Sequence, residues 1–279
     1  MSSVAEPRPA ASVLIVRDAP PGAPEPIEVY MIRRQKAMKF LGGFYAFPGG
    51  KVDADDASAA AFAACHGLDP AGAARCLPDQ QAPAPLAFWV AAARELLEET
   101  GVLLACDSAG RAIDPAAPDV AARAQAARAA LVSGGELFSA VLARERWRCD
   151  LRPLRYLSHF VTPRSSPIRF TARFFLCRLS TGQAPRLFTE ETSEGFWIHP
   201  GDGYRRFLEG EMAMAEPAEF GLAFIAQFRS VDELWAWCDD NQEKFTGLID
   251  RIEFWKDFDW KRSRGPQPGR RGPASGSAV

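Results

Sequence analysis

The sequence predicts an α/β fold: a mixed β-sheet between helices, with helical insertions and a helical C-terminal extension. Two observations carry this reading. Short β-branched and aromatic runs, bounded by Gly and Pro, lie at both ends of the first 200 residues, and helical patterns fill the space between them. At 279 residues, 47% of them hydrophobic, the chain can bury one large core.

The elements follow in order. Residues 1–11 are Pro-rich and read as a flexible start. Val13-Leu14-Ile15-Val16 reads as a strand, residues 20–26 as a Pro/Gly turn, and Ile27-Glu28-Val29-Tyr30-Met31-Ile32 as a second strand. Gly43-Phe44-Tyr45-Ala46-Phe47-Pro48-Gly49-Gly50 is an extended aromatic segment that ends in a Gly-Gly turn. Residues 54–84, rich in Ala, Pro and Asp, look like an insertion. A helix should run from near Pro85 to Gly101, because Pro suits a first turn and Gly a C-terminal cap.

A second, Ala/Arg-rich insertion over 107–148 should add two helices, over 118–132 and 136–146. Strand character returns over 155–161 and 169–179 and around Phe196-Trp197-Ile198. From about 203 the pattern is helical, with Trp235, Trp237, Trp255 and Trp260 as packing residues. One domain should therefore span 12–262, followed by a disordered tail over 263–279.

The 33 basic and 35 acidic residues nearly cancel, so no overall field draws the chain to nucleic acid or to an anionic membrane. The six cysteines form no CxxC pair and have no His placed to complete a zinc site, which suits a reducing cytoplasm. No apolar run approaches the roughly 18 residues of a membrane span. The expectation is a soluble, cytoplasmic protein that captures any anionic partner locally.

Within the central helix, Glu95, Glu98 and Glu99 fall at i, i+3 and i+4, which places three carboxylates on one face. Trp89, Val90, Ala93, Leu96 and Leu97 are left for burial against a sheet. Like charges at this spacing repel, so the cluster calls for open solvent or a cation. A solvated acidic face is the plain alternative. Carboxylate oxygens are also what Mg²⁺ and Mn²⁺ prefer, and a partly hydrated ion between this face and a diphosphate would neutralise both.

The run Arg94-Glu95-Leu96-Leu97-Glu98-Glu99-Thr100-Gly101-Val102 matches the second half of the Nudix box, Arg-Glu-U-x-Glu-Glu-x-Gly-U, where U is a bulky aliphatic residue. Gly50-Lys51-Val52-Asp53-Ala54-Asp55-Asp56, preceded by Phe47-Pro48-Gly49, resembles its first half. Asp56 stands where the pattern has Glu, and 37 residues separate it from Arg94 where the pattern has a short spacer. Such an excess can be looped out, because closure entropy grows slowly with length.

The resemblance covers about residues 12–200 and implies the Nudix fold and a metal-dependent pyrophosphohydrolase. It implies that Glu98 and Glu99, joined by Glu95, hold Mg²⁺ or Mn²⁺. Arg94 would then be an ion-pair partner, and Glu95 or Glu98 would accept the proton of the attacking water. Glu190, Glu191 and Glu194, just before the last predicted strand, are candidates for a late acid; a solvated acidic turn is the alternative for them.

The implied substrate is a small nucleoside diphosphate derivative, with a homodimer as the candidate assembly. Arg34, Lys39, Gly43 and Phe47-Pro48-Gly49-Gly50 partly resemble an additional signature of coenzyme A-hydrolysing Nudix enzymes. The long insertion inside the box resembles the coenzyme A diphosphatase subgroup, as do His159-Phe160-Val161-Thr162-Pro163 and Arg173-Phe174-Phe175. On that reading Arg34, Lys39, Gly49 and Gly50 bind substrate, with Arg33 and Lys36 as further anion contacts. For these cations, and for Arg164 and Arg169, surface solubility or strand flanking is the alternative. ADP-ribose and NADH are the other substrates considered, and a binding module without hydrolysis is the rival class. His159 and His199 are expected to be structural.

Overall fold

The computed structural model describes residues 5–180, 182–188 and 192–241. Its main sheet is built on β1 (Arg8–Asp18), whose Val13, Leu14, Ile15 and Val16 are all fully buried, so both faces of the strand are covered. β2 (Ile27–Arg34) pairs antiparallel with the C-terminal half of β1, with Val16 opposite Val29. Two short strands follow, β3 (Tyr45–Ala46) on β2 and β4 (Gly49–Lys51) on the N-terminal half of β1. The segment 45–51 thus crosses from one strand to the other and enters the sheet beside the acidic helix.

The first strand starts earlier than the sequence suggests. Residues 8–11, expected to be flexible, pair with β4 on one side and with β9 (Phe170–Arg178) on the other. Pairing partners decide the conformation of this Pro- and Ala-containing stretch, where local propensity is weak. β9 runs parallel to β1 and antiparallel to β8 (Leu154–Val161), and β10 (Thr192–Ile198) pairs with β2 at the far edge. The order is β10-β2-β1-β9-β8, the mixed sheet anticipated.

In the first insertion, a 3₁₀ turn (Asp55–Ala57) leads into α1 (Ala59–Ala63), β5 (Cys65–His66) and α2 (Pro70–Cys76). Ser58 and Asp69 cap the two helices by accepting from Ala61 N and Gly72 N. The central helix, α3 (Leu86–Thr100), starts after Pro85 and stops at Gly101, whose φ of 71° gives the left-handed cap while its N–H bonds Leu97 O. After β6 (Ala105–Cys106), the second insertion contributes α4 (Pro118–Val132), with the bounds expected, and α5 (Phe138–Glu145), which lies inside the expected 136–146.

The insertions join each other. β5, β6 and β7 (Arg148–Asp150) make a second, three-stranded sheet that sequence reasoning missed. Asp55 accepts from both Ser139 N and Ser139 Oγ, so the start of one insertion is pinned to α5 of the other. Ala61, Ala73, Ala127, Leu131, Phe138 and Val141 are buried in the same core as the main sheet, and α3 is covered on both sides as a result.

α6 (Pro200–Leu208), α7 (Glu216–Ile225) and α8 (Val231–Asn241) supply the helical extension, which begins at Pro200. Gly221 of α7 lies so close to Leu14 and Phe47 that a Cβ there would meet both at 2.8 Å. The Cβ direction of Gly50, opposite Ala11, points at α3. Because Ala11 and Leu14 differ in strand parity, α7 and α3 lie on opposite faces of the sheet. Trp237 packs edge-on against Phe224 and Phe228, and Trp235 lies under Arg155 and Arg178. Trp255, Trp260 and the tail over 263–279 lie outside the described residues. No helix among the described residues is long and apolar enough to cross a membrane, and all six cysteines are free thiols.

Candidate active site

Arg94 organises the acidic face of α3. Its Nε and Nη2 donate to Asp56 Oδ1 and Oδ2 at 3.0 and 2.9 Å, and Nη2 also donates to Lys51 O at 2.7 Å. On its other side Nη1 reaches Glu95 Oε1 at 2.9 Å and Glu98 Oε2 at 3.1 Å. Asp53 adds a carboxylate oxygen 3.7 Å from Nη2. Asp56 is fully buried and Arg94 is 5% exposed, so this is an interior ion network in which each donor must keep its acceptor.

The early acid of the box is therefore a structural counter-ion. Asp56 also accepts from Asp53 N at 2.8 Å, which closes the turn at the end of β4. The ion pair spans the whole first insertion, and the extra chain is looped out between its two members.

The glycines serve the same cluster through close approach. Gly49, at φ 147°, donates its N–H to Glu99 Oε2 at 2.8 Å, and a Cβ on it would lie 2.2 Å from Ala11 O. A Cβ on Gly50 would lie 2.3 Å from Glu95 Oε1. The Gly-Gly turn thus lets the sheet approach within contact of two of the three glutamates.

Electrostatically the cluster is over-supplied with negative charge. Burial pushes the Glu95 carboxyl up to about 8 against the pull of Arg94, with the charges of Glu99 and Glu98 adding to the rise. Burial likewise raises Glu98 and Asp56, again opposed by Arg94. Arg94 is pushed down by burial, but its bond to Asp56 and the charges of Glu95, Asp56 and Glu98 outweigh this and raise it above its ordinary value.

Carboxylates on one helical face, backed by one arginine, form a donor set suited to a hard divalent cation. The side chains stand around Arg94 and Gly49 N. Among the described residues, no group of three His, Cys, Asp or Glu side chains converges as a ready cage.

Of the expected substrate contacts, Gly49 and Gly50 lie in the cluster. Arg34 instead donates from Nε to Phe40 O at 3.3 Å within its own loop, and Lys39 is exposed. Arg33 donates to Glu194 at 2.7 Å and to Gly43 O and lies over the Tyr45 ring, so Glu194 is held on β2. Glu190 and Glu191 lie outside the described residues. Arg169 ties Thr162 O to Ala5 O. His159 Nε2 lies 2.6 Å from Thr171 Oγ1 and His199 Nδ1 lies 3.3 Å from Ile27 O, in keeping with structural roles.

Sequence reasoning missed Arg128 of α4. Its Nε donates to Glu98 O at 2.6 Å and its guanidinium lies 3.3 Å from the Phe188 ring centroid. In an Ala/Arg-rich helix nothing marks one arginine above the others.

Residues 7–225 match the family model described as the NUDT19 Nudix domain. The chain belongs to this branch of the Nudix hydrolase family. It is 28% identical to human acyl-coenzyme A diphosphatase NUDT19 over 256 residues, 78% of this chain and 66% of the human protein. It is also 28% identical to putative nudix hydrolase 7 of Caenorhabditis elegans, covering 73% of this chain and 57% of that protein. The chain thus spans somewhat less than two thirds of these relatives. The crystal structure of a NUDIX hydrolase from Alicyclobacillus acidocaldarius superposes with a TM-score of 0.68 at 34% identity, over 82% of this chain and 96% of that one.

Proposed function

We propose that this protein hydrolyses the diphosphate linkage of a nucleoside diphosphate derivative with Mg²⁺ or Mn²⁺. The preferred substrate on this reading is coenzyme A or an acyl-coenzyme A, which would give 3′,5′-ADP and phosphopantetheine or its acyl form. The carrying observation is the Arg94 network, which holds Glu95 and Glu98 on one face of α3 beside the Gly49-Gly50 turn. The substrate preference is supported by the human and chicken relatives, both named acyl-coenzyme A diphosphatase.

Glu98, Glu99 and Glu95 would hold the metal, which when bound would polarise a phosphoryl oxygen and acidify water. The protein's own contribution is positional. Arg94 fixes Glu95 and Glu98 relative to the β4 turn, and Gly49 N orients Glu99. Glu98, with its side chain 20% exposed and bonded to Arg94, is open to water where Glu95 is buried, and it is assigned as acceptor of the proton from the attacking water.

The test is incubation with Mg²⁺ or Mn²⁺ and separate samples of coenzyme A, acetyl-coenzyme A, NADH and ADP-ribose, resolving products by mass, with Glu98→Gln as control. Release of 3′,5′-ADP by the wild type alone is expected. Turnover of ADP-ribose or NADH without coenzyme A would overturn the substrate, and inertness toward all four would overturn the activity.

A further inference from the structure

Arg173 of β9 is only 7% exposed, yet no carboxylate pairs with it among the described residues. Its hydrogen-bond partners are neutral: Nη1 donates to Tyr156 Oη at 3.2 Å and Nη2 to Gln80 Oε1 at 3.0 Å. The Phe88 ring of α3 lies 5.8 Å away, and Nε is buried with no partner. A guanidinium keeps its charge inside proteins, and burying one without an anion is costly. Arg94, by contrast, is buried beside three acids, Asp56, Glu95 and Glu98.

The position of Arg173 is as informative as its lack of an anion. It stands opposite Ala11 of β1, Ala11 stands opposite Gly50 of β4, and the Glu95 carboxylate lies against Gly50. Two strand spacings, about 10 Å, therefore separate the Arg173 backbone from the turn at the acidic cluster. His159 faces Arg173 across β8. The group closing over Arg173 is Gln80, from the chain between α2 and α3, whose Nε2 donates to Ala82 O and Pro83 O. Gln80 thus gives the guanidinium a neutral carbonyl oxygen where an anionic oxygen would bind more strongly.

We propose that Arg173 is an anion-binding residue whose ligand is a phosphomonoester group, admitted when the Gln80 side chain moves aside. Its source is the substrate itself, the 3′-phosphate of a nucleotide whose diphosphate lies at the acidic face of α3. The choice of source rests on the function proposed above; the anion site does not. The insertion inside the box then has a specific role, because it supplies the residue that occupies the site when the ligand is absent.

The experiment is calorimetric binding, without metal, of 3′,5′-ADP, 5′-ADP and inorganic phosphate to the wild type, Arg173→Met and Gln80→Ala, with thermal melts of each. The wild type should prefer 3′,5′-ADP over 5′-ADP by at least about tenfold. Arg173→Met should bind the two alike while retaining its affinity for 5′-ADP and its Tm, and Gln80→Ala should tighten 3′,5′-ADP. Arg173-dependent binding of inorganic phosphate without preference for 3′,5′-ADP would keep the anion site and overturn its source. Unchanged discrimination in Arg173→Met would overturn the site. Should that variant not fold, Gln80→Ala decides, since a purely structural Arg173 predicts no gain in affinity from it. Coenzyme A turnover without Arg173 dependence removes only this inference, whereas Arg173-dependent binding without turnover removes only the proposed activity.

Discussion

Arg94 grips both carboxylate oxygens of Asp56, a residue 38 positions earlier in the chain, in a site where neither side chain has appreciable access to water. This fork ties the β4 turn to α3 across an insertion of four short elements. Removing Asp56 would leave Arg94 Nε without its acceptor in the interior and cut the bond between the β4 turn and α3, although Glu95 and Glu98 would still face Nη1. Asp56→Ala should therefore cost about 3–5 kcal/mol. Urea denaturation of the two proteins measures it, and a loss under about 1 kcal/mol would show that the pair does not anchor the turn.

Glu98 and Glu99 contrast with Asp56, because both are partly exposed, Glu98 beside Arg94 Nη1 and Glu99 on Gly49 N, whereas Asp56 is fully buried. Glu98→Gln and Glu99→Gln should each reduce metal-dependent turnover by about 10²-fold or more. Their melting temperatures should stay near the wild type. Steady-state rates with Mn²⁺, alongside thermal melts, test both halves of the statement.

Gly50→Ala probes the close approach. The new methyl would sit 2.3–2.7 Å from the Glu95 carboxyl group, so Glu95 would have to turn away from both Gly50 and Arg94. Activity should fall further than stability does. Gly134→Ala is a suitable comparison for stability, since that glycine at φ 68° has open space where a Cβ would go and incurs only backbone strain.

What the sequence revealed and what it hid divide along physical lines. Pro85 and Gly101 bracket α3 and Pro118 opens α4, because caps act locally and leave marks in composition. The sheet of β5, β6 and β7 left no such mark. Strands of two or three residues show no alternation, and Cys65 pairs with Cys149 across α3 and the whole second insertion. The i, i+3, i+4 glutamates were legible for the same local reason, whereas the destination of a long side chain was not. Arg34, expected to bind substrate, bonds a loop carbonyl, while Arg173, read as part of a strand and of a subgroup resemblance, is a buried cation whose side-chain partners are neutral.

Glu219 of α7 gives a pH dependence remote from the acidic cluster. Burial pushes its carboxyl from 4.5 up to about 7, and the Glu216 charge adds to the shift. The folded protein therefore holds this proton more tightly than the unfolded chain. Between those two values stability falls as pH rises, and the contribution present below 4.5 is gone above about 7. Glu219→Gln removes the charge, so its Tm relative to wild type should be higher at pH 8 and show no gain at pH 4.5. A constant offset at both pH values would discard the assignment.

Arg128 links the second insertion to the acidic turn of α3. The last carbonyls of a helix have no partner within it, and Glu98 O lies in that last turn of α3. Arg128 Nε supplies the missing donor, and its positive charge lies at the helix end where the dipole is negative. Without it the carbonyl is left unsatisfied and the turn carrying Glu98 and Glu99 is free to shift. Arg128→Met, which keeps much of the contact with Phe188, should lower stability by about 1–3 kcal/mol. If the arginine sets the placement of the glutamates, kcat and Mn²⁺ affinity should fall together while KM for the organic substrate changes little. Arg128→Lys should restore part of both. A loss of stability with an unchanged Mn²⁺ titration would confine Arg128 to holding the insertion in place.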